Sequence, residues 1–265
     1  MKMHHRLLIV FSTAILIALG SYACKQQESS ATDEGVNLTA RSIMSDAHDK
    51  AGGESWVKPQ SLYLDGYGLF YSNGDTAYHE KHMMWRVYAS SKDKAHVANG
   101  KVRIESIKNG TPVFMVSFDG ANTYDLSGKQ EQSEADKRWA SNFGYGVIRH
   151  AFDDGYKLEK LEDGSVDAHK TYRIKVIDTQ GGETIFDIRQ HDYAIVQVGF
   201  DTPRGWHERI YSDFFKKKEY TWNQPGRVQL FYNDIKVNEI IWTDFDVDKS
   251  YDPELFIIDP DKVEI

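Results

Sequence analysis

The chain has 265 residues, of which 32 are basic and 40 are acidic, so its formal net charge is −8. Hydrophobic residues make up 40% and aromatic residues 13% of the chain, which excludes wholesale disorder. The negative charge excludes nucleic-acid binding through a general phosphate-neutralising surface. Because there is one cysteine, an internal disulfide framework and a multi-cysteine metal site are also excluded.

Residues 1–23 have the pattern of a bacterial export signal. Lys2 and Arg6 precede an apolar stretch, Leu7–Leu19, and small residues follow before a cleavage point. This stretch is too short to span a bilayer core of about 30 Å, which needs about 20 residues. The sequence therefore predicts an exported protein, with a transmembrane helix as the alternative.

Cys24 follows the small residue Ala23, where a lipoprotein signal peptidase would leave a lipidated N-terminal cysteine. The segment resembles a bacterial lipobox, with Ser21 at a position where leucine is usual. We expect lipidation of Cys24, because an unpaired cysteine in an exported protein otherwise needs its own explanation. Two or more acyl chains would then give durable membrane anchoring. The alternative is ordinary cleavage that leaves a free thiol. The polar residues 25–36 complete a segment, 24–36, that we interpret as lipidated cysteine and flexible tether.

The first helix is predicted at residues 37–51, because Leu38, Ile43, Ala47 and Ala51 lie roughly on one face of a helix. Asn37 or Thr39 is the expected N-cap, and Gly52-Gly53 is the expected stop signal. From Ser61 onward the hydrophobic period changes from helical to alternating, which is typical of strands.

Several further strands are predicted by this alternation, and Asn109-Gly110 and Asp119-Gly120 are turn signals between them. The predicted strand segments after the first are 82–91, 101–108, 112–119, 122–126, 156–161, 172–176, 186–188, 196–200, 206–215, 227–233 and 238–247. A second helix is predicted at 135–152, with Trp139, Phe143 and Val147 on its apolar stripe. Since no linker or repeat divides the chain, we expect residues 37–265 to form a single domain.

The predicted fold is mainly β with α: one large curved antiparallel sheet, an N-terminal helix and a covering helix. A lipobox-like start, a helix ending Ala51-Gly52-Gly53 with Trp56 after it, and the ending Tyr251–Phe256 resemble the exported Lol-type half-barrels. That group includes the outer-membrane lipoprotein-sorting carriers and many bacterial lipoproteins. The resemblance implies helices against the concave face of a curved sheet and an apolar cavity that holds acyl chains.

Two short segments contain several polar and charged residues that could bind a metal or a polar ligand. His79-Glu80-Lys81-His82 resembles a metal site, but its histidines are three residues apart rather than the four of the zincin pattern, so we expect a solvated polar turn and no metal. In the run Trp206–Arg209, His207 and Arg209 share one strand face. That face suits an anionic head group or a sugar, and the alternative is an exposed strand with paired charges.

These patterns predict a non-catalytic, lipid-anchored envelope protein that binds a lipid or another hydrophobic molecule. The alternatives are an envelope hydrolase using His207 or a carboxylate pair such as Asp153-Asp154 or Asp244 and Asp246, and an interaction module without a ligand. We expect no cofactor, no metal and no nucleic-acid partner, with the membrane contacted through Cys24.

The predicted cavity wall is formed by the apolar strand positions Phe114, Val116, Phe118, Ile174, Val176, Phe186, Ile188, Val198 and Phe200, with Trp139 and Phe143 on the covering helix. At the rim, Arg204, His207 and Arg209 are the head-group candidates. A register error of one residue would move every strand position to the outside of the sheet.

Overall fold

The N-terminal helix α1, Ala40–Ala51, begins where the Thr39 side chain caps it. The Thr39 hydroxyl accepts a hydrogen bond from the Ser42 amide, and the Ser42 hydroxyl accepts one from the Thr39 amide, both at 3.1 Å. Gly52, with a φ of 144°, ends the helix, and the four-residue helix α2, Glu54–Val57, follows. The prediction of the first helix and its stop signal is confirmed.

The computed structural model describes residues 38–88, 100–131 and 144–263.

Fourteen strands form one antiparallel sheet in the described part of the chain. They are β1 Ser61–Ser72, β2 Asp75–Val87, β3 Lys101–Lys108, β4 Thr111–Phe118, β5 Thr123–Asp125, β6 Gly128–Lys129, β7 Lys157–Lys160, β8 Gly164–Val166, β9 His169–Ile177, β10 Glu183–Arg189, β11 Ile195–Thr202, β12 Gly205–Ser212, β13 Arg227–Tyr232 and β14 Ile235–Val247. Across the sheet the order is β6-β5-β4-β3-β2-β1-β14-β13-β12-β11-β10-β9-β7, and β8 pairs with β9.

Two-residue turns with positive φ connect many of these strands. The predicted turn Asn109-Gly110 has φ values of 54° and 76°, and Asn73-Gly74 has values of 50° and 87°. Asparagine and glycine adopt this left-handed backbone readily, and its twist matches the twist of the flanking strands. Because the turn at Asn73-Gly74 was not identified from the sequence, the prediction that the second strand begins at residue 82 was wrong. That strand begins at Asp75.

The first and last strands are neighbours in the middle of the sheet, since β1 pairs with β14. The two edge strands, β6 and β7, are consecutive along the chain. The connection between them therefore runs from one edge of the sheet to the other. Its described part contains a 3₁₀ helix, Gly144–His150, rather than the α-helix predicted for 135–152. Trp139 and Phe143, which were placed on that helix, lie outside the described residues.

One face of the sheet carries the main core. Ile43 and Ala47 of α1 and Ile148 of the 3₁₀ helix are fully buried there. Helix α1 contacts β7 and β9, and the 3₁₀ helix contacts β11. These elements cover one side of an open sheet, so the predicted half-barrel is confirmed. The described residues contain no helix with the length and apolar character needed to cross a membrane.

Candidate functional site

A cavity of about 510 Å³ lies over strands β1–β4 and β12–β14, on the same face as the main core. Its volume falls within the range of roughly 300–1,000 Å³ typical of small-molecule sites. Its apolar lining residues are Trp56, Leu62, Leu64, Phe70, Met84, Tyr88, Ile104, Phe114, Val116, Tyr211, Trp222, Pro225, Val228, Leu230, Tyr232, Ile240 and Trp242. Its polar lining residues are His82, Arg86, Arg149, His207, Arg209, Gln224 and Asn238.

The strand register explains why these side chains share a face. Met84 is paired with Leu64 on one side and with Ile104 on the other, and Ile104 is paired with Val116. Paired residues of an antiparallel sheet point to the same side. The cavity wall is therefore a continuous strip of side chains across β1–β4.

Three of the predicted wall residues lie on β4. Phe114 and Val116 line the cavity. Phe118 points to the same face, because it pairs with the buried Val102, but it is not among the lining residues.

The structure places six other predicted wall positions in the solid core instead of at the cavity. All six belong to the cluster packed with α1 and the 3₁₀ helix, and none is more than 5% exposed: Ile174, Val176, Phe186, Ile188, Val198 and Phe200. Their side chains point to the expected face. What the alternation could not predict is that α1 would pack on β7 and β9 and the 3₁₀ helix on β11, leaving the void over β1–β4 and β12–β14.

Three guanidinium groups meet at this cavity, from β2, β12 and the 3₁₀ helix. The Cζ atoms of Arg86 and Arg149 lie over the ring of Tyr88, at 5.1 Å and 5.0 Å from its centroid. The pKa of Arg86 is lowered to about 10, chiefly by burial, with the positive charges of Arg149 and Arg209 acting in the same direction and Tyr88 opposing them. A group with this pKa is still protonated at neutral pH.

Arg149 lies among the rings of Trp56, Tyr88 and Trp222 and is held by two hydrogen bonds. Its Nε donates a hydrogen bond to the Trp56 carbonyl oxygen at 2.7 Å, and its Nη1 donates one to the Tyr88 hydroxyl at 3.1 Å. Its Cζ also lies 4.6 Å from the Trp56 ring centroid and 5.4 Å from that of Trp222. Sequence reasoning missed Arg149, because within a predicted amphipathic helix an arginine indicates the solvent-facing side.

Two histidines of the lining are neutral at pH 7. His207 Nε2 accepts a hydrogen bond from Arg209 Nε at 2.9 Å. Burial, helped by the charge of Arg209, lowers the pKa of His207 to about 3. His82 Nδ1 lies 2.6 Å from the Ser106 hydroxyl, and burial lowers its pKa to about 4. The positive charge of the described lining therefore comes from its arginines, and none of these lining residues is an aspartate or glutamate.

The remaining sequence candidates lie at or outside the cavity boundary. Arg204 is exposed in the turn between β11 and β12, with its guanidinium 4.2 Å from the ring centroid of Tyr232. His79 and Glu80 belong to β2 rather than to a turn, and the ring of His79 stacks on that of Phe70 with 4.2 Å between the centroids.

Within the described ranges, no group of three or more His, Cys, Asp or Glu side chains is arranged to hold a metal ion.

Three members of the predicted carboxylate pairs lie next to basic side chains. Asp244 and Asp246 lie 2.9 Å and 3.4 Å from the ammonium of Lys217. Asp153 lies 2.8 Å from Nδ1 of His150. One other acid, Asp187, has a pKa raised by burial, and the Thr171 hydroxyl donates to it at 2.6 Å. None of these four acids lines the cavity.

Solved structures with a similar fold carry names from the lipoprotein-sorting group. A LolA superfamily protein from Nitrosomonas europaea is 12% identical, with a TM-score of 0.51 over 83% of this chain and 98% of that one. A domain named for outer membrane lipoprotein sorting, from Vibrio parahaemolyticus, is 13% identical, with a TM-score of 0.52 over 82% of this chain and 95% of that one. At 12–13% identity, the structural similarity to these two proteins shows the fold alone, which is of the Lol type. No protein-family model and no curated protein sequence matches the chain.

Proposed function

We propose that this chain is a non-catalytic, lipid-anchored protein of the bacterial envelope that binds a lipid or another hydrophobic molecule in the cavity of its half-barrel. The observation that carries this proposal is the cavity itself. A void of about 510 Å³ bordered mainly by aliphatic and aromatic side chains lies on the same face of the sheet as the main core.

Burial of acyl carbons supplies the binding free energy in this proposal. Each methylene transferred from water contributes about 0.8 kcal/mol, so a chain of modest length binds without any covalent chemistry. Leu64, Met84, Ile104 and Val116 provide adjacent apolar contacts across four strands. Because these side chains lie on paired strands of the sheet, we expect the site to be formed before the ligand arrives, which would lower the entropic cost of binding.

The envelope location rests on the N-terminal sequence and on the fold. Residues 1–23 carry the export pattern, and Cys24 is positioned for lipidation. The names of the two similar structures place those proteins among lipoprotein-sorting proteins, which is consistent with an envelope location for this one. In this proposal the acyl groups of Cys24 hold the protein at the membrane surface, and the half-barrel takes up its ligand nearby.

Native mass spectrometry of the full-length protein purified from membranes tests the proposal, followed by titration with decanoate, laurate, myristate and palmitate. We expect co-purified lipid and an affinity that rises by about 0.8 kcal/mol per added methylene until the cavity is full. Absence of both co-purified lipid and fatty-acid binding would contradict the proposal and favour an interaction module.

A further inference from the structure

The polar side chain of His82 interrupts the apolar wall of the cavity. On β2 it lies next to Met84 on the face that lines the cavity, and it is paired with Ser106 of β3. On the side away from Met84, the rings of Phe70 and Trp242 also line the cavity, and their centroids lie 5.9 Å and 5.3 Å from that of the His82 ring. Apolar side chains therefore continue on both sides of this polar ring.

The orientation of the His82 ring is set by Ser106. The Nδ1 atom of His82 lies 2.6 Å from the Ser106 hydroxyl, and Ser106 is fully buried. In a histidine ring Nε2 is further from the backbone than Nδ1, so on a side chain that lines a cavity it reaches further into it. Within the described part of the chain, the contact with Ser106 is the one hydrogen bond of this ring. Nε2 therefore presents an unused hydrogen-bonding atom to the cavity.

This atom belongs to an uncharged ring at neutral pH. Burial lowers the pKa of His82 to about 4, and the charge of His79 acts in the same direction. A neutral imidazole carries one proton, on either of its two nitrogens. Because the serine hydroxyl can donate or accept, both tautomers keep the hydrogen bond to Ser106. Nε2 can thus donate to a carbonyl oxygen or accept from a hydroxyl group.

A free hydrogen-bonding atom in an apolar wall discriminates between ligands. A pure hydrocarbon would cover Nε2 and withdraw it from solvent without supplying a hydrogen bond, which carries an energetic penalty. A ligand with a hydroxyl or carbonyl group opposite Nε2 avoids that penalty. Since the wall is apolar on both sides of His82, the matching group lies within the ligand and not at its end.

We propose that the ligand carries an uncharged hydroxyl or carbonyl group with an apolar segment on each side, as an ester-linked or hydroxylated acyl chain does, and that this group forms a hydrogen bond with Nε2 of His82. One apolar segment lies against Leu64 and Met84, and the other lies against Phe70 and Trp242. This inference rests on the proposed function and adds to it the class of ligand and the residue that selects it.

Three probes with the same carbon skeleton test the hydrogen bond: undecane, dipentyl ketone and dipentyl carbinol. Their affinities are measured by displacement of parinaric acid, a fluorescent fatty acid, from the full-length protein. The decisive quantities are the affinities of the ketone and of the carbinol relative to that of undecane, because a partial loss of folded protein cancels in these ratios. In His82→Phe we expect both ratios to fall about tenfold, since the new ring keeps apolar contacts and removes the hydrogen bond.

Matched variants separate the hydrogen bond from a structural effect. His79→Phe changes a histidine of the same strand that stacks on Phe70 but does not line the cavity, and it should keep the wild-type ratios. His82→Gln restores a donor and an acceptor on a side chain of similar reach and should retain most of both ratios. His82→Leu, with a smaller side chain, provides the same test should His82→Phe fail to fold.

Unchanged ratios in His82→Phe or His82→Leu would overturn the hydrogen bond to His82. An equal fall in His79→Phe or His82→Gln would also overturn it, because the loss would then follow from a general change in the cavity. The proposed function survives either result as long as parinaric acid binds and the probes displace it. If parinaric acid itself does not bind, both the proposed function and this inference fail.

Discussion

The Nε atom of Arg149 donates a hydrogen bond to the carbonyl oxygen of Trp56 at 2.7 Å, 93 residues away in the chain. Trp56 belongs to α2, and Arg149 belongs to the connection between the two edge strands. This bond, with the ring contacts around it, fixes the crossing segment against the N-terminal helices. This part of the cavity lining is therefore held in place by long-range contacts and not by any single element.

We expect Arg149→Met to lower the free energy of unfolding by about 1–3 kcal/mol, because it leaves the buried Trp56 carbonyl without its donor. Urea unfolding followed by tryptophan fluorescence measures the change. Lys58→Met is the control, since the Lys58 side chain is 73% exposed and should contribute almost nothing. An unchanged midpoint in Arg149→Met would show that the segment is held by other contacts.

The stability of the fold should decrease as the pH falls from about 6.5 to about 4. His82 and His207 have pKa values lowered by burial to about 4 and about 3 in the folded state, against 6.5 for an unperturbed histidine. Over this range the unfolded chain binds protons that the folded chain does not, so each residue contributes a slope of at most about 1.4 kcal/mol per pH unit.

Urea titrations at intervals between pH 7 and pH 5 measure this slope. His82→Gln should reduce it by the contribution of one histidine, which averages about 1 kcal/mol per pH unit over this range because the unfolded side chain is only partly protonated near pH 7. The control, His191→Gln, changes a side chain that is 63% exposed and should leave the slope as it is. The same slope in wild type and His82→Gln would contradict the burial argument.

Filling the cavity from β4 should abolish ligand binding without unfolding the protein. Val116 lines the cavity, so Val116→Trp places an indole where the acyl chain is proposed to lie. We expect palmitate affinity to fall by about tenfold or more while the thermal midpoint changes little, because the ring enters an existing void. Val113→Trp is the matched control on the same strand, since Val113 is 43% exposed and points to the other face. Equal palmitate binding by both variants would place the ligand elsewhere.

Gly66 permits the close approach of the two central strands. A Cβ atom at this position would lie 1.9 Å from the carbonyl oxygen of Ile241 on β14. We expect Gly66→Ala to cost about 3 kcal/mol or more, because backbone must move to accommodate the methyl group. Gly74→Ala is the comparison, with a positive φ of 87° but open space around it, and should cost about 1 kcal/mol. Denaturant unfolding of both variants should give this order, and a reversed order would contradict the steric argument.

The lipid anchor is tested at Cys24, a residue outside the described part of the chain. Expressed in a bacterial host, Cys24→Ser should release the protein from the membrane fraction, and the acyl mass of the N-terminal peptide should disappear. Ser29→Ala, in the tether, should leave both unchanged. Continued membrane association of Cys24→Ser would indicate a different mode of attachment.

Local patterns were sufficient for most of the secondary structure and for the direction of the strand side chains. Alternation along β4 placed Phe114 and Val116 on the concave face, and Asn109-Gly110 marked a turn, because both signals depend on neighbouring residues only. The segment that forms the 3₁₀ helix was predicted to belong to a longer α-helix. Periodicity alone does not distinguish a 3₁₀ helix from an α-helix in a segment that contains Gly144 and Gly146.

The amino-acid sequence by itself determined an open antiparallel half-barrel, its N-terminal helix and the face on which its apolar strand residues lie. Only the tertiary structure decided which part of that face is hollow. Packing of α1 against β7 and β9 and of the 3₁₀ helix against β11 accompanies the burial of Val198 and its neighbours, while the cavity remains over β1–β4 and β12–β14. The gathering of Arg86, Arg149 and Arg209 was likewise decided by tertiary structure. They are brought together by strand pairing and by a crossing segment that join residues more than 50 positions apart, which no periodic pattern in the sequence records.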